Sequence, residues 1–140
     1  MLEMRVKLTA WINAWTIPLN SALSESINMS SVSGDNAILV LTNLPDTSSA
    51  EKLAELLISE HLAACINIQA PCTSMYKWQG KFEKVHEIPM IIKTTQSHYP
   101  SLQATILKHH PNELPEIICV TIADGLPEYL AWISEIDQKN

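Results

Sequence analysis

The stretch TSMYKWQGKFEKVHEIPMIIKTT, Thr73 to Thr95, constrains what this chain can fold into more than any other feature. Gln79-Gly80 divides two runs rich in aromatic and β-branched residues, which spells a hairpin closed by a two-residue turn. A returning strand from Lys81 to Thr95 would span roughly 50 Å at about 3.3 Å per residue. The helix expected before it, PDTSSAEKLAELLISEH, covers only about 20 Å at 1.5 Å per residue. The hairpin tip must therefore project past the layer that would bury it. Yet it carries Met75, Tyr76, Trp78, Phe82 and Val85. An exposed aromatic ribbon with unpaired edges invites pairing. These side chains are expected to pack against other copies of the chain, with ligand stacking by Tyr76 and Trp78 as the lesser alternative.

The remaining segments supply the partners of that hairpin. NAILVLTNL (Asn36–Leu44) is a buried-strand run. The following helix has Asp46, Thr47 and Ser48 as capping candidates and Ala50, Leu53, Leu56 and Leu57 at helical spacing. ACINIQ (Ala64–Gln69) is a second strand, interrupted by Pro71, where a bulge or bend is expected. Ser97 is the expected cap of a second helix. That helix has Pro100 in its first turn, an apolar stripe at Tyr99, Leu102 and Ile106, and an end at His109-His110-Pro111. EIICVTIA (Glu116–Ala123) reads as a last buried strand. DGLPEYLAWISEI reads as a C-terminal helix with Leu126, Tyr129, Leu130 and Ile133 on one side. The order β-α-β-β-α-β plus a helix predicts an α+β, ferredoxin-like sandwich with its helices on one sheet face.

Composition excludes several function classes. At 140 residues, 46% hydrophobic and 17% charged, the chain has one globular domain's worth of core. Its net charge of −6, with no Lys/Arg run, disfavours nucleic acid and anionic membranes and favours a cationic or neutral ligand. The three cysteines, Cys65, Cys72 and Cys119, contain no C-x-x-C. They are expected as reduced thiols in the cytoplasm, Cys65 and Cys119 being small buried hydrophobes. With only Gly34, Gly80 and Gly125, neither a P-loop nor G-x-G-x-x-G can be written. No nucleophile has a base and an orienting group beside it in a motif, so no enzyme is expected.

Residues 1–35 differ in character from 36–140. An apolar stretch broken by Asn13, Pro18 and Asn20 leads into a serine-rich run. This extension is expected to be disordered or dispensable. A true start at Met29 and a signal peptide are the alternatives, the Asn interruptions counting against the latter.

The segments LTNLPD, EHLAACINI, TSMYKWQGK, EIPMIIKTT, KHHPNELPEI and YLAWI, with their spacing from Ala37 to Ile136, resemble the CutA family of divalent-cation tolerance proteins. The resemblance implies a compact homotrimer of ferredoxin-like subunits that binds copper and acts in tolerance to divalent metals. The metal ligands it implies are His109, His110 and Glu87. Some members place a cysteine at the end of the first strand, where this chain has Thr42. A hydroxyl does not replace a thiolate as a soft ligand, so the expected copper site is weakened.

Read as chemistry alone, the histidine pair leaves two alternatives open. Adjacent helical residues point about 100° apart, so both face one ion only if the helix unwinds, which Pro111 encourages. A histidine at a helix C-terminus is also favoured by the macrodipole with no ligand at all. His86 and Glu87 point to opposite strand faces, and His61 and His98 read as solvated helix-end residues. Asp124 before Gly125 reads as turn chemistry. Three functions therefore compete: a trimeric metal-responsive binder, a PII-like small-molecule signalling module by fold analogy alone, and a trimeric scaffold presenting its extensions.

Overall fold

A computed structural model describes residues 35–138, so the expectations for the N-terminal extension lie outside the described residues. Strand β1 (Ala37–Leu44) leads to helix α1 (Thr47–Ser59), then to strands β2 (Cys65–Ile68), β3 (Cys72–Trp78) and β4 (Lys81–Thr95). Helix α2 (Tyr99–His109), strand β5 (Ile118–Thr121), helix α3 (Pro127–Ser134) and a 3-10 turn at Ile136–Gln138 follow. The sheet order is β2-β4-β1-β5, and β3 pairs with the other half of β4. Every pairing is antiparallel. Interleaved connections of this kind make the ferredoxin-like sandwich expected from the element order.

The hairpin is as long as its sequence demands. β4 runs 15 residues without a break, its first half paired to β3 and its second half to β1 and β2. The turn residues Gln79 and Gly80 have φ of 47° and 79°. Positive φ at both central positions matches the right-handed twist of the flanking strands, and Gly supplies one of them without cost. Pro71 falls in the gap between β2 and β3, where a missing N–H breaks no ladder bond.

Alternation along β1 decides which face is core. Ile38, Val40, Thr42 and Leu44 are buried, and their neighbours are half-buried. The same holds for Ile88, Met90 and Ile92 on β4, which pair across from Leu44, Thr42 and Val40. On this face α1 contributes Ala50, Leu53, Ala54 and Leu57, and α2 contributes Leu102 and Ile106. Asp46 caps α1, accepting from the Ser49 amide at 2.8 Å and from its hydroxyl at 3.0 Å.

Several expectations change. Ser97 does not cap α2; His98 is the cap residue and makes no side-chain cap bond. Ser97 is held instead by Asp35, which accepts from its amide at 2.9 Å and also from its hydroxyl. His98 is no solvated helix end. Its Nδ1 lies 2.7 Å from the Thr95 hydroxyl and its Nε2 lies 3.1 Å from the Asp137 carboxylate. β5 is shorter than the run Glu116–Ala123 and is not buried, because Ile118 and Val120 sit on the face away from α1 and α2. Cys65 and Cys119 are half-buried free thiols, of which Cys119 packs against the core.

Helix α3 lies on that second face as well. Its Tyr129 ring sits 6.0 Å from the Lys93 ammonium, and Lys93 alternates with the core residues Ile92 and Thr94. Of the four apolar residues expected on one side of this helix, only Ile133 is buried; Leu126 and Tyr129 are exposed. The helices α1 and α2 thus cover one sheet face, while the second keeps apolar surface in water.

Candidate functional site

A cleft of about 480 Å³ lies on the second side of the sheet, between the hairpin and the loop leading to β5. Asn43 from β1, Ser74, Tyr76 and Trp78 from β3, and Glu87 from β4 line it, with Asn112, Glu113, Leu114 and Glu116 from the loop. Strand alternation supplies one wall: Ser74, Tyr76 and Trp78 share a face, which Glu87 joins through the β3–β4 register. The loop wall follows from Pro111 and Pro115, which keep this segment out of helix and hold Glu113 and Glu116 opposite the hairpin.

Two of the three carboxylates are pinned. The Ser74 hydroxyl donates to Glu87 Oε2 at 2.5 Å. The Asn43 side-chain amide donates to Glu116 Oε2. Each bond occupies one oxygen, and among the described residues the Oε1 atoms have no protein donor. Among the described residues no lysine, arginine or histidine lines the cleft, so the groups described there give a negative potential suited to a cation.

The residues singled out for metal are distributed around this cleft rather than gathered in it. Glu87 lines it. His110 stands behind its wall, buried, with both ring nitrogens engaged. Nε2 donates to the Asn43 carbonyl at 2.7 Å, and Nδ1 accepts from the Asn112 amide at 3.1 Å. The chain turns out of helix at His110, with φ −77° and ψ 133°, as expected for the residue before Pro111. That geometry sends the neighbouring imidazole elsewhere: His109 is exposed and lines a separate hollow of about 250 Å³ with Leu44, Lys52 and Pro111. Thr42 is buried on the core face, whereas Glu87 belongs to the opposite set of alternating β4 residues. Among the described residues Thr42 Oγ1 has no hydrogen-bond partner.

The donor set expected for copper therefore does not fit as a single cluster within one chain. Among the described residues no group of three or more His, Cys, Asp or Glu side chains converges in a way that could hold a metal ion. The carboxylates Glu113 and Glu116 were visible in the sequence beside the histidines, but their acidity alone gave them no role. Asn43 carried no sequence signal, because its place at the cleft depends on which strand pairs with β1.

A profile of the family described as CutA1 divalent ion tolerance protein matches residues 38–136. A divalent-cation tolerance protein CutA from Yersinia pestis is 39% identical over 103 residues, which is 74% of this chain and 87% of that one. Among solved structures, CutA1 from Oryza sativa superposes with a TM-score of 0.71 at 34% identity, covering 74% of this chain and 94% of that one. A protein described as the periplasmic divalent cation tolerance protein CutA from Archaeoglobus fulgidus gives a TM-score of 0.69 at 33% identity, covering 71% and 97%.

Proposed function

This chain belongs to the CutA1 divalent ion tolerance family, and from that premise we propose that it is a non-enzymatic, homotrimeric protein of the cytoplasm that binds divalent metal, Cu(II) first. The observation that carries the binding reading is the cleft itself: Glu87, Glu113 and Glu116 line it, with no basic side chain among the described lining residues. Trimerisation is supported by the apolar surface left exposed on the hairpin and second sheet face. Met75 is 62% exposed and Phe82 67%, and Ile118 and Val120 join them in water. Patches of this kind on a hairpin that overruns its own core are what an assembly covers. The free thiols Cys65, Cys72 and Cys119 suit a reducing compartment. Among the described residues no helix is long and apolar enough to cross a membrane.

The proposed ligands are Glu87, His110 and His109, in that order of access from the cleft. Glu87 keeps one oxygen for an ion. His110 would have to exchange the Asn112 amide at Nδ1 for metal. His109 is exposed but faces the other hollow, so it would reach an ion only from another copy or a second site. Imidazole and carboxylate without thiolate rank Cu(II) above Ni(II) and Zn(II). The test is a Cu(II) titration at neutral pH, on protein without a histidine tag. Glu87→Gln should weaken binding by about tenfold, roughly 1.4 kcal/mol, and His109→Ala with His110→Ala should abolish it. Copper binding equal to the parent in all these variants would remove the reading.

A further inference from the structure

Three separated parts of the chain meet at one imidazole. His98 stands at the start of α2, and its side chain is 14% exposed. On one side its Nδ1 lies 2.7 Å from the Thr95 hydroxyl and 3.9 Å from the carboxylate of Asp35, just ahead of β1. On the other its Nε2 lies 3.1 Å from the carboxylate of Asp137, in the 3-10 turn after α3. The Ser134 hydroxyl, at the end of α3, donates to the Asp35 carbonyl at 3.3 Å and closes the junction. We propose that His98 is a proton-sensitive latch: its charged form ties the C-terminal segment and the lead-in to β1 onto the start of α2, and its neutral form loosens them.

The surroundings of the ring can use two N–H donors. An ionised carboxylate only accepts, so Nε2 must carry a proton to bond Asp137. A hydroxyl has a single proton to give. Ser97 gives its own to Asp35, and Thr95 is a second hydroxyl donor to that carboxylate. With Thr95 so turned, its oxygen accepts from Nδ1–H, and the ring is an imidazolium with both protons bonded. A neutral ring that keeps its proton on Nε2 takes the Thr95 proton at Nδ1 instead, and Asp35 loses that donor. Protonation thus turns one hydroxyl, adds a donor to Asp35 and sets a positive charge between two carboxylates. Among the described residues Asp35 and Asp137 are the charged groups within ion-pair distance of the ring, one from the lead-in and one from the turn. The end of β4 and the end of α3 face the junction with Thr95 and Ser134, which do not titrate. The tie has leverage because apolar anchoring here is sparse: of the side chains described from Pro127 to Asp137, Ile133 and Ile136 are the buried ones. Every group in the latch belongs to one subunit, so it requires neither the hairpin nor the second sheet face to be free. The inference goes beyond the metal reading and does not rest on it.

The sign follows from the charges. A proton on His98 is favoured while both carboxylates flank it, so the latch is tight below the ordinary histidine range, about pH 6.5, and slackens as pH rises through it. Carboxylates ordinarily titrate well below this window and stay ionised across it. The experiment is hydrogen exchange of the Ile133–Gln138 amides, read by mass spectrometry on the full-length protein in whatever assembly it adopts. It runs from about pH 5.5 to about pH 8, each rate being divided by the intrinsic rate at that pH. Protection of this segment should fall about threefold over the series, the scale of an ion pair with one exposed partner, while the amides of β1 stay level. Added salt should shrink the gain at low pH. His98→Gln keeps an N–H donor without a titrating ring and should remove the dependence. Asp137→Asn, at an exposed position, should flatten it as well, and decides alone if the His98→Gln variant does not fold. Parent protection that ignores pH, or either folded variant keeping the parent's slope, would overturn the inference.

Discussion

Thr42 offers a test of both the core and the metal reading. It is 1% exposed, and its Oγ1 has no hydrogen-bond partner among the described residues. Valine has the same branched shape and the same strand preference, so Thr42→Val changes little except the hydroxyl. A buried hydroxyl without a partner carries a desolvation cost of about 1–3 kcal/mol. Replacing it with a methyl group removes that cost against neighbours that are already apolar: Met90 across the ladder, Val40 and Leu44 along the strand. The variant should be more stable by about 1–3 kcal/mol. For a domain of this size, each kcal/mol raises Tm by roughly 4–8 °C. The assay is guanidinium unfolding at one fixed protein concentration, because an assembling protein has concentration-dependent stability. The midpoint should rise with the slope unchanged. Thr42 and Glu87 lie on opposite faces of the sheet, so copper affinity should stay at the parent value. A less stable Val variant would show that the hydroxyl is bonded in solution, and a lost copper site would show that Thr42 does reach the metal.

Further outcomes follow from the caps, the hairpin and the extension. The amide and hydroxyl of Ser49 hold the Asp46 carboxyl below its ordinary value of 3.8. The stability linked to it is complete above the unfolded value and is lost as pH falls through the folded one. Asp46→Asn should therefore flatten the fall in Tm below about pH 4, measured against the parent across an acid series. Asp35 is also held low: burial raises its carboxyl, but donors from Ser97 and Thr95 and the nearby His98 outweigh that. Asp35→Asn should lose stability near neutrality and converge on the parent in acid. Phe82→Ser should weaken the proposed trimer with little effect on subunit secondary structure, read by light scattering and circular dichroism; an unchanged mass at all concentrations would put the interface elsewhere. Deleting residues 1–33 should leave the melting temperature nearly unchanged, and loss of the cooperative transition would show that the segment packs.

Local patterns in the sequence determined the elements and their order, because period, turn chemistry and caps act over a few residues. Gln79-Gly80 set the turn, Asp46 the start of α1, and Pro111 the end of α2 at the histidine pair. The length of the β4 run alone implied a hairpin longer than its own helices. Convergence was another matter, since it depends on strand register and sheet order between residues far apart in the chain. Ser97 reads as a cap until Asp35, 62 positions away, captures its amide. That the Asn43 carbonyl, 67 positions away, accepts a hydrogen bond from His110 Nε2 is likewise invisible in the sequence. The run around Cys119 reads as a core strand, yet in a sheet ordered β2-β4-β1-β5 it becomes an edge with one face in water. The cleft exists only because β1 lies between β4 and β5. That arrangement brings Asn43, Glu87 and Glu116 to one place, and no spacing within any one segment records it.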